Sequence, residues 1–108
     1  MKKIDKPWGY ELLFAKTKHY AGKILFVRKG ESLSLQYHRK KEESMYVYRG
    51  KLNVWVNGKL RVMTPGKTLH LPPKTMHRVK ALADSEIFEV STPHLEDVVR
   101  LEDCYGRI

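Results

Sequence analysis

No run of apolar residues in this chain is long enough to cross a bilayer; stretches such as Ile24 to Val27 cover one short strand at most. The start, MKKIDKPWGY, has none of the apolar core of a signal peptide. Cysteine is nearly absent. Cys104 stands alone, which excludes an internal disulfide and a multi-cysteine zinc site, and it agrees with a reducing compartment. The expectation from these absences is a cytoplasmic protein with no membrane partner, in which any metal is held by histidine, carboxylate or amide oxygen. Blocks of like charge are missing too. Lys and Arg outnumber Asp and Glu 21 to 12, a net charge of +9, yet the basic residues are scattered through pieces such as RKGE, HRKKEE and HRVK. With no recognition-helix pattern and no aromatic-basic signature, no nucleic-acid partner is expected, and the positive balance suits a small anion such as a phosphorylated metabolite. At 108 residues the chain has room for one domain and one modest core.

Helical periodicity is also lacking. What the chain has instead is a series of short Val, Ile, Leu, Tyr and Phe segments separated by turn residues, the pattern of an all-β domain. Strands are predicted at Glu11–Phe14, Lys23–Arg28, Leu33–Tyr37, Ser44–Arg49, Lys51–Val56, Lys59–Met63, Thr68–Leu71, His77–Ala81 and Ile87–Ser91. Asn57-Gly58 signals a type I′ hairpin, Pro65-Gly66 a turn, and Pro72-Pro73 the end of a strand. The expected layout is a single domain over 1–108, with a core at 23–91, an N-terminal segment at 1–22 and a C-terminal segment at 92–108. That last segment is acidic and then basic, compatible with either a short helix or an edge strand.

Many short strands without crossover helices leave a sandwich or a barrel. Side chains two apart on a strand share a face, about 7 Å apart, so Gln36 and His38 point the same way. Glu43 lies across a polar turn on the next strand, on the face of Met45 and Val47, and His77 opens a later strand. If these faces meet inside, they supply an amide oxygen, two imidazoles and a carboxylate, a set suited to one divalent transition metal with positions left for water or substrate. Zinc is the first choice of ion, with manganese, nickel, iron or cobalt as alternatives, because such a donor set binds several of these ions well and supply decides among them.

The spacing resembles that of the cupin family, whose first motif is G-x5-H-x-H-x3,4-E-x6-G and whose second is G-x5-P-x-G-x2-H-x3-N. Here Gly30, Gln36, His38, Glu43 and Gly50 follow the first, with Gln36 in place of the leading histidine. Gly66, Pro72 and His77 follow the second, with Lys74 where the motif has glycine and Ala81 where it has asparagine. The pieces KPWGYELL, LSLQYH and EDVVRLEDCYGR narrow the resemblance to the cupin domain of type II phosphomannose isomerases, a family that uses Gln-x-His in its first motif. The nucleotidyltransferase portion of that family is absent from this sequence, and Cys104 replaces a residue that is commonly acidic. The resemblance implies a small single-domain cupin, a double-stranded β-helix or jelly-roll barrel, with homodimers as the default state.

It also implies a metal-dependent isomerase that interconverts mannose 6-phosphate and fructose 6-phosphate, with Gln36, His38, Glu43 and His77 as ligands. The alternative is a binding or regulatory module that holds a sugar or small anion without turnover. A metal oxygenase is disfavoured by Gln36, because that chemistry usually accompanies three histidines and a glutamate. Arg100 and Arg107, both in the matched C-terminal piece, are candidates for gripping the phosphate, Arg100 also as part of the catalytic set. Glu89 shares a face with Ile87 and Ser91 and is the candidate base. His70 is a candidate pocket-lining residue if Thr68 faces inward. Glu42 is read as a solvated turn charge, Trp8 and Tyr10 as packing residues, and Trp55 as an outer-face cover or a dimer contact.

Overall fold

A computed structural model describes all 108 residues. Eleven strands follow one another: β1 Lys2–Lys6, β2 Gly9–Lys16, β3 Ala21–Val27, β4 Leu35–Tyr37, β5 Glu43–Arg49, β6 Leu52–Val56, β7 Lys59–Met63, β8 Thr68–Leu71, β9 His77–Ala81, β10 Ser85–Ser91 and β11 Val99–Glu102. No helix is long and apolar enough to cross a membrane. All strand pairs are antiparallel, in a six-stranded sheet of order β1-β2-β3-β10-β5-β8 and a five-stranded sheet of order β11-β4-β9-β6-β7.

Alternation in the sequence places the core between the sheets. On β5, Glu43, Met45 and Val47 are buried while Tyr46 and Tyr48 are exposed, and on β10 Ile87 and Glu89 are buried while Phe88 and Val90 are exposed. Fourteen buried apolar residues, among them Trp8, Val27, Val47, Val54, Val79 and Ile87, form one cluster. Each such side chain contributes about 1.5–3 kcal/mol by leaving water. Two turns behave as their chemistry requires. Asn57 and Gly58 both have positive φ, 49° and 81°, as a type I′ hairpin demands. Gly66, with φ of 90°, follows Pro65 in a turn closed by the Lys67 N–H on the Thr64 carbonyl at 3.1 Å.

The two ends of the chain are more regular than their sequences suggest. β1 is not among the predicted strands because KKIDK is too polar to show an alternating pattern; as an exposed edge it carries charges that discourage further pairing. The 92–108 segment contains a strand and no helix: β11 pairs with β4 and closes the edge of the five-stranded sheet. Both ends therefore wall the interior. β1 and β2 extend the six-stranded sheet beyond β3, and β11 faces the cavity across from them.

Gly50, the last residue of the first matched motif, sits at φ of 97°, and a Cβ there would lie 2.1 Å from the Ser85 hydroxyl and 2.6 Å from the Asp84 carbonyl. Gly50→Ala is expected to cost about 2–3 kcal/mol from the left-handed backbone and the forced displacement of the 84–85 loop. Urea denaturation should show a lower midpoint at unchanged slope.

Candidate metal centre and cavity

Strand register brings the chemistry together. Across the five-stranded sheet, Arg100 pairs with Gln36 and Gln36 with His77, so the three side chains emerge from one row. Across the six-stranded sheet, Lys23 pairs with Glu89, which is also opposite Met45. His38 lies just past β4, and the turn after it crosses to the other sheet and delivers Glu43 at the start of β5.

His38, Glu43 and His77 are 5%, 2% and 2% exposed, and one ligand atom from each lies within 4.8 Å of the others. Glu43 Oε1 is 3.4 Å from His38 Nε2 and 3.2 Å from His77 Nε2. The second nitrogen of each ring faces a backbone carbonyl, His38 Nδ1 that of Asp97 and His77 Nδ1 that of Thr75. A carbonyl only accepts, so both rings carry their proton on Nδ1, and both Nε2 atoms present lone pairs. Three buried acceptors thus face each other, and none of them has a hydrogen-bond partner. Protonating the rings at Nε2 instead would produce charge-assisted bonds of about 2.7–2.9 Å, shorter than either separation. A divalent cation satisfies all three atoms at once, and two imidazoles with one carboxylate are a donor set such an ion accepts. Gln36 lines the same cavity as His38, in register with His77, and its amide oxygen accepts from Ser34 Oγ at 2.7 Å with one lone pair to spare.

Behind the triad lies an ionic chain absent from the sequence-based reading. Lys41 is 5% exposed, and its ammonium stands 3.3 Å from Glu43 Oε2 and 3.3 Å from Glu89 Oε2. Burial opposes the charge on Lys41, but Glu89 and Glu43 outweigh it and raise the lysine above its usual value. One ammonium cannot fully serve two carboxylates. Glu43 is held well below the usual carboxylate range: burial opposes its charge, and the Lys41 ammonium beside it favours the ionised form. Glu89 is pushed up to about 8, first by burial and then by the Glu43 charge, with Lys41 pulling the other way.

A cavity of about 110 Å³ is lined by Glu89, Lys41 and His38 and by four further cations, Lys6, Lys23, Arg100 and Arg107. Arg100 Nε is buried without a partner. Arg107 also reaches this cavity, but Asp103 already grips its guanidinium through two bonds at 2.9 and 2.8 Å. Lys6 is lowered, mainly by burial and in part by the nearby Lys23, Arg100 and Arg107 charges, against the pull of Glu11. Glu11, 6% exposed, is held by Lys23 at 3.3 Å and by Lys6 at 3.8 Å. Trp8 belongs to the core cluster and also lines the cavity.

His70 requires a correction. On β8 it is Leu69 and Leu71 that face inward, so His70 points outward, exposed, and its Nε2 meets Glu42 Oε2 at 2.5 Å. It lines no part of this cavity, and Glu42 is an exposed partner for it where a free solvated charge was expected. Trp55 faces a separate groove of about 550 Å³ on the outer side of the five-stranded sheet, beside Cys104, which contains none of the candidate ligands.

Comparison with known proteins follows the same lines. The model of the family described as mannose-6-phosphate isomerase C-terminal matches residues 1–103. The chain is 32% identical over 99% of its length to the mannose-1-phosphate guanylyltransferase ManC of Salmonella typhimurium, but spans only 23% of that protein. Among solved structures, KdgF from Halomonas sp. superposes with a TM-score of 0.78 at 23% identity, covering 87% of each chain. An RmlC-like cupin from Shewanella frigidimarina superposes at 0.79 and 19% identity, covering 88% of this chain and 86% of that one. The fold is a cupin fold, and the chain belongs to the mannose-6-phosphate isomerase C-terminal family.

Proposed function

We propose that this chain is a metal-dependent aldose-ketose isomerase acting on mannose 6-phosphate and fructose 6-phosphate. The observation that carries the reading is a cluster of three unpartnered acceptor atoms beside a cavity that His38 and Gln36 line together with Lys6, Lys23, Arg100 and Arg107, Arg100 having a buried, unpartnered Nε. A sugar phosphate has the matching polarity, with carbonyl and hydroxyl oxygens to offer a cation and a dianion to offer arginine. His38, Glu43 and His77, with Gln36 as fourth donor, would hold a divalent ion, zinc first. Bound there, it would polarise the substrate carbonyl as a Lewis acid.

The protein's own part is binding and proton transfer. Arg100 takes the phosphate, and Arg107 assists in the orientation fixed by Asp103. Glu89 lines the same cavity, and in its ionised form it removes a proton from the carbon next to the carbonyl and returns it to the neighbouring carbon. A pKa near 8 makes it a base of useful strength and an acid of useful strength in the return step. The second reading, a module that binds without turnover, draws support from the Lys41–Glu89 ion pair at 3.3 Å, which would occupy the base.

A coupled assay distinguishes the two. Purified zinc- or manganese-loaded protein is expected to convert mannose 6-phosphate to fructose 6-phosphate, and a chelator should abolish the rate. Saturable binding of mannose 6-phosphate with no turnover under any metal would establish the binding module instead.

A further inference from the structure

The turn from His38 to Glu43 carries two of the three converging ligand residues across from one sheet to the other, and residues 39–42 belong to no strand. Its backbone donors therefore need a partner outside the sheets. Asp97, 56 to 58 residues further on, provides it. Its Oδ1 accepts the Arg39 N–H at 3.1 Å, and its Oδ2 accepts those of Lys40 at 2.6 Å and Lys41 at 2.9 Å. Three successive N–H groups converging on one carboxylate form an anion nest that fixes the path of the turn. The backbone carbonyl of the same residue accepts from His38 Nδ1. A second tie lies alongside: Glu42 and Thr92 exchange bonds, Glu42 N–H to Thr92 Oγ1 at 3.1 Å and Thr92 N–H to the Glu42 carbonyl at 3.0 Å.

We infer that Asp97 is the positioning residue of the candidate metal centre: its carboxylate sets the separation of His38 from Glu43, and its carbonyl holds the His38 ring with Nε2 free to coordinate. The inference rests on the reading that these ligands take a metal. Outer partners of this kind typically change metal affinity by about 10- to 100-fold when removed. Asp97 does not line this cavity and supplies none of the converging atoms, so its effect has to pass through the turn and the ring.

The test is zinc affinity, measured by competition with a chromophoric chelator. Asp97→Ala should bind zinc about 10- to 100-fold more weakly, yet reach one ion per chain at saturation. Asp97→Asn, which keeps one acceptor oxygen, should lie in between, and it decides the question if the alanine variant does not fold. Asp84→Ala is the control, because Asp84 likewise accepts a backbone N–H, that of Lys29 at 2.8 Å, in a loop that carries none of the ligands. It should stay within twofold of the parent. Unchanged affinity in both Asp97 variants, or equal weakening in the Asp84 control, overturns the inference. If the parent itself takes up no zinc, the metal reading fails and the ¹⁵N shifts of the His38 ring in the metal-free protein decide. The parent should then hold the Nδ1–H form and Asp97→Ala, which keeps the carbonyl but releases the turn that the carboxylate holds against it, a mixture, and identical populations would overturn the positioning role.

Discussion

Alanine at His38 or at His77 is expected to strip the chain of its metal. Elemental analysis of protein loaded with zinc and then desalted should give about one ion per chain for the parent and near background for either variant. Each ring supplies one of three buried acceptors that have no other partner, and losing one leaves a carboxylate, a single imidazole and an amide to compete with water. The lost affinity should not be a disguised loss of fold. The 14-residue apolar cluster contains none of the ligands, and the sheet pairing at His77 is made by backbone groups that alanine keeps, so circular dichroism of both variants should match the parent. Full occupancy in both variants would sink the centre as drawn here.

How the sequence foretold the convergence of His38, Glu43 and His77, and where it fell short, has a simple cause. His38, Glu43 and His77 were legible because strand alternation fixes which face a residue takes, and the paired turns fix which strands come after. The Gly66 and Asn57-Gly58 turns could be read from residue chemistry alone. Lys74 is instructive: it stands where the cupin motif has glycine, and its φ is 67°, so the backbone keeps the left-handed shape even though the side chain does not favour it. His70 was misjudged because its inward placement depended on the phase of one short strand, and a shift of one residue reverses the face. The least legible contributors were Lys41 and Asp97. Lys41 is one of three consecutive basic residues, and nothing local says which of them turns inward. Asp97 acts on a turn far away in sequence, a relation that exists only after β11 has closed against β4. β1 escaped notice for a related reason, since an edge strand kept polar to avoid pairing loses the alternation by which strands are recognised.

Arg100 and Glu89 should separate in steady-state kinetics of the proposed isomerisation. In the proposed reaction Arg100 would meet only the phosphate, which does not change, so Arg100→Ala is expected to raise KM for mannose 6-phosphate with little change in kcat, the signature of lost uniform binding. A hydrogen-bonded charge partner of a phosphate contributes about 1.5–3 kcal/mol, which is roughly a 10- to 150-fold increase in KM. Glu89→Gln should do the reverse. The amide is nearly isosteric and can still face Lys41, but it cannot take a proton from carbon, so kcat should fall about 10²- to 10⁴-fold while KM stays close to the parent. The ion pair at 3.3 Å sharpens the outcome. If Lys41 does no more than neutralise Glu89, the glutamine takes one of its two carboxylate partners from the buried ammonium, and stability falls with little loss of kcat in the protein that remains folded. If Glu89 is the base, the rate falls whether or not stability does. Measuring kcat per folded molecule, with the folded fraction taken from the denaturation curve, therefore decides between a structural pair and a catalytic one, and an unaltered kcat would move the base elsewhere in the cavity.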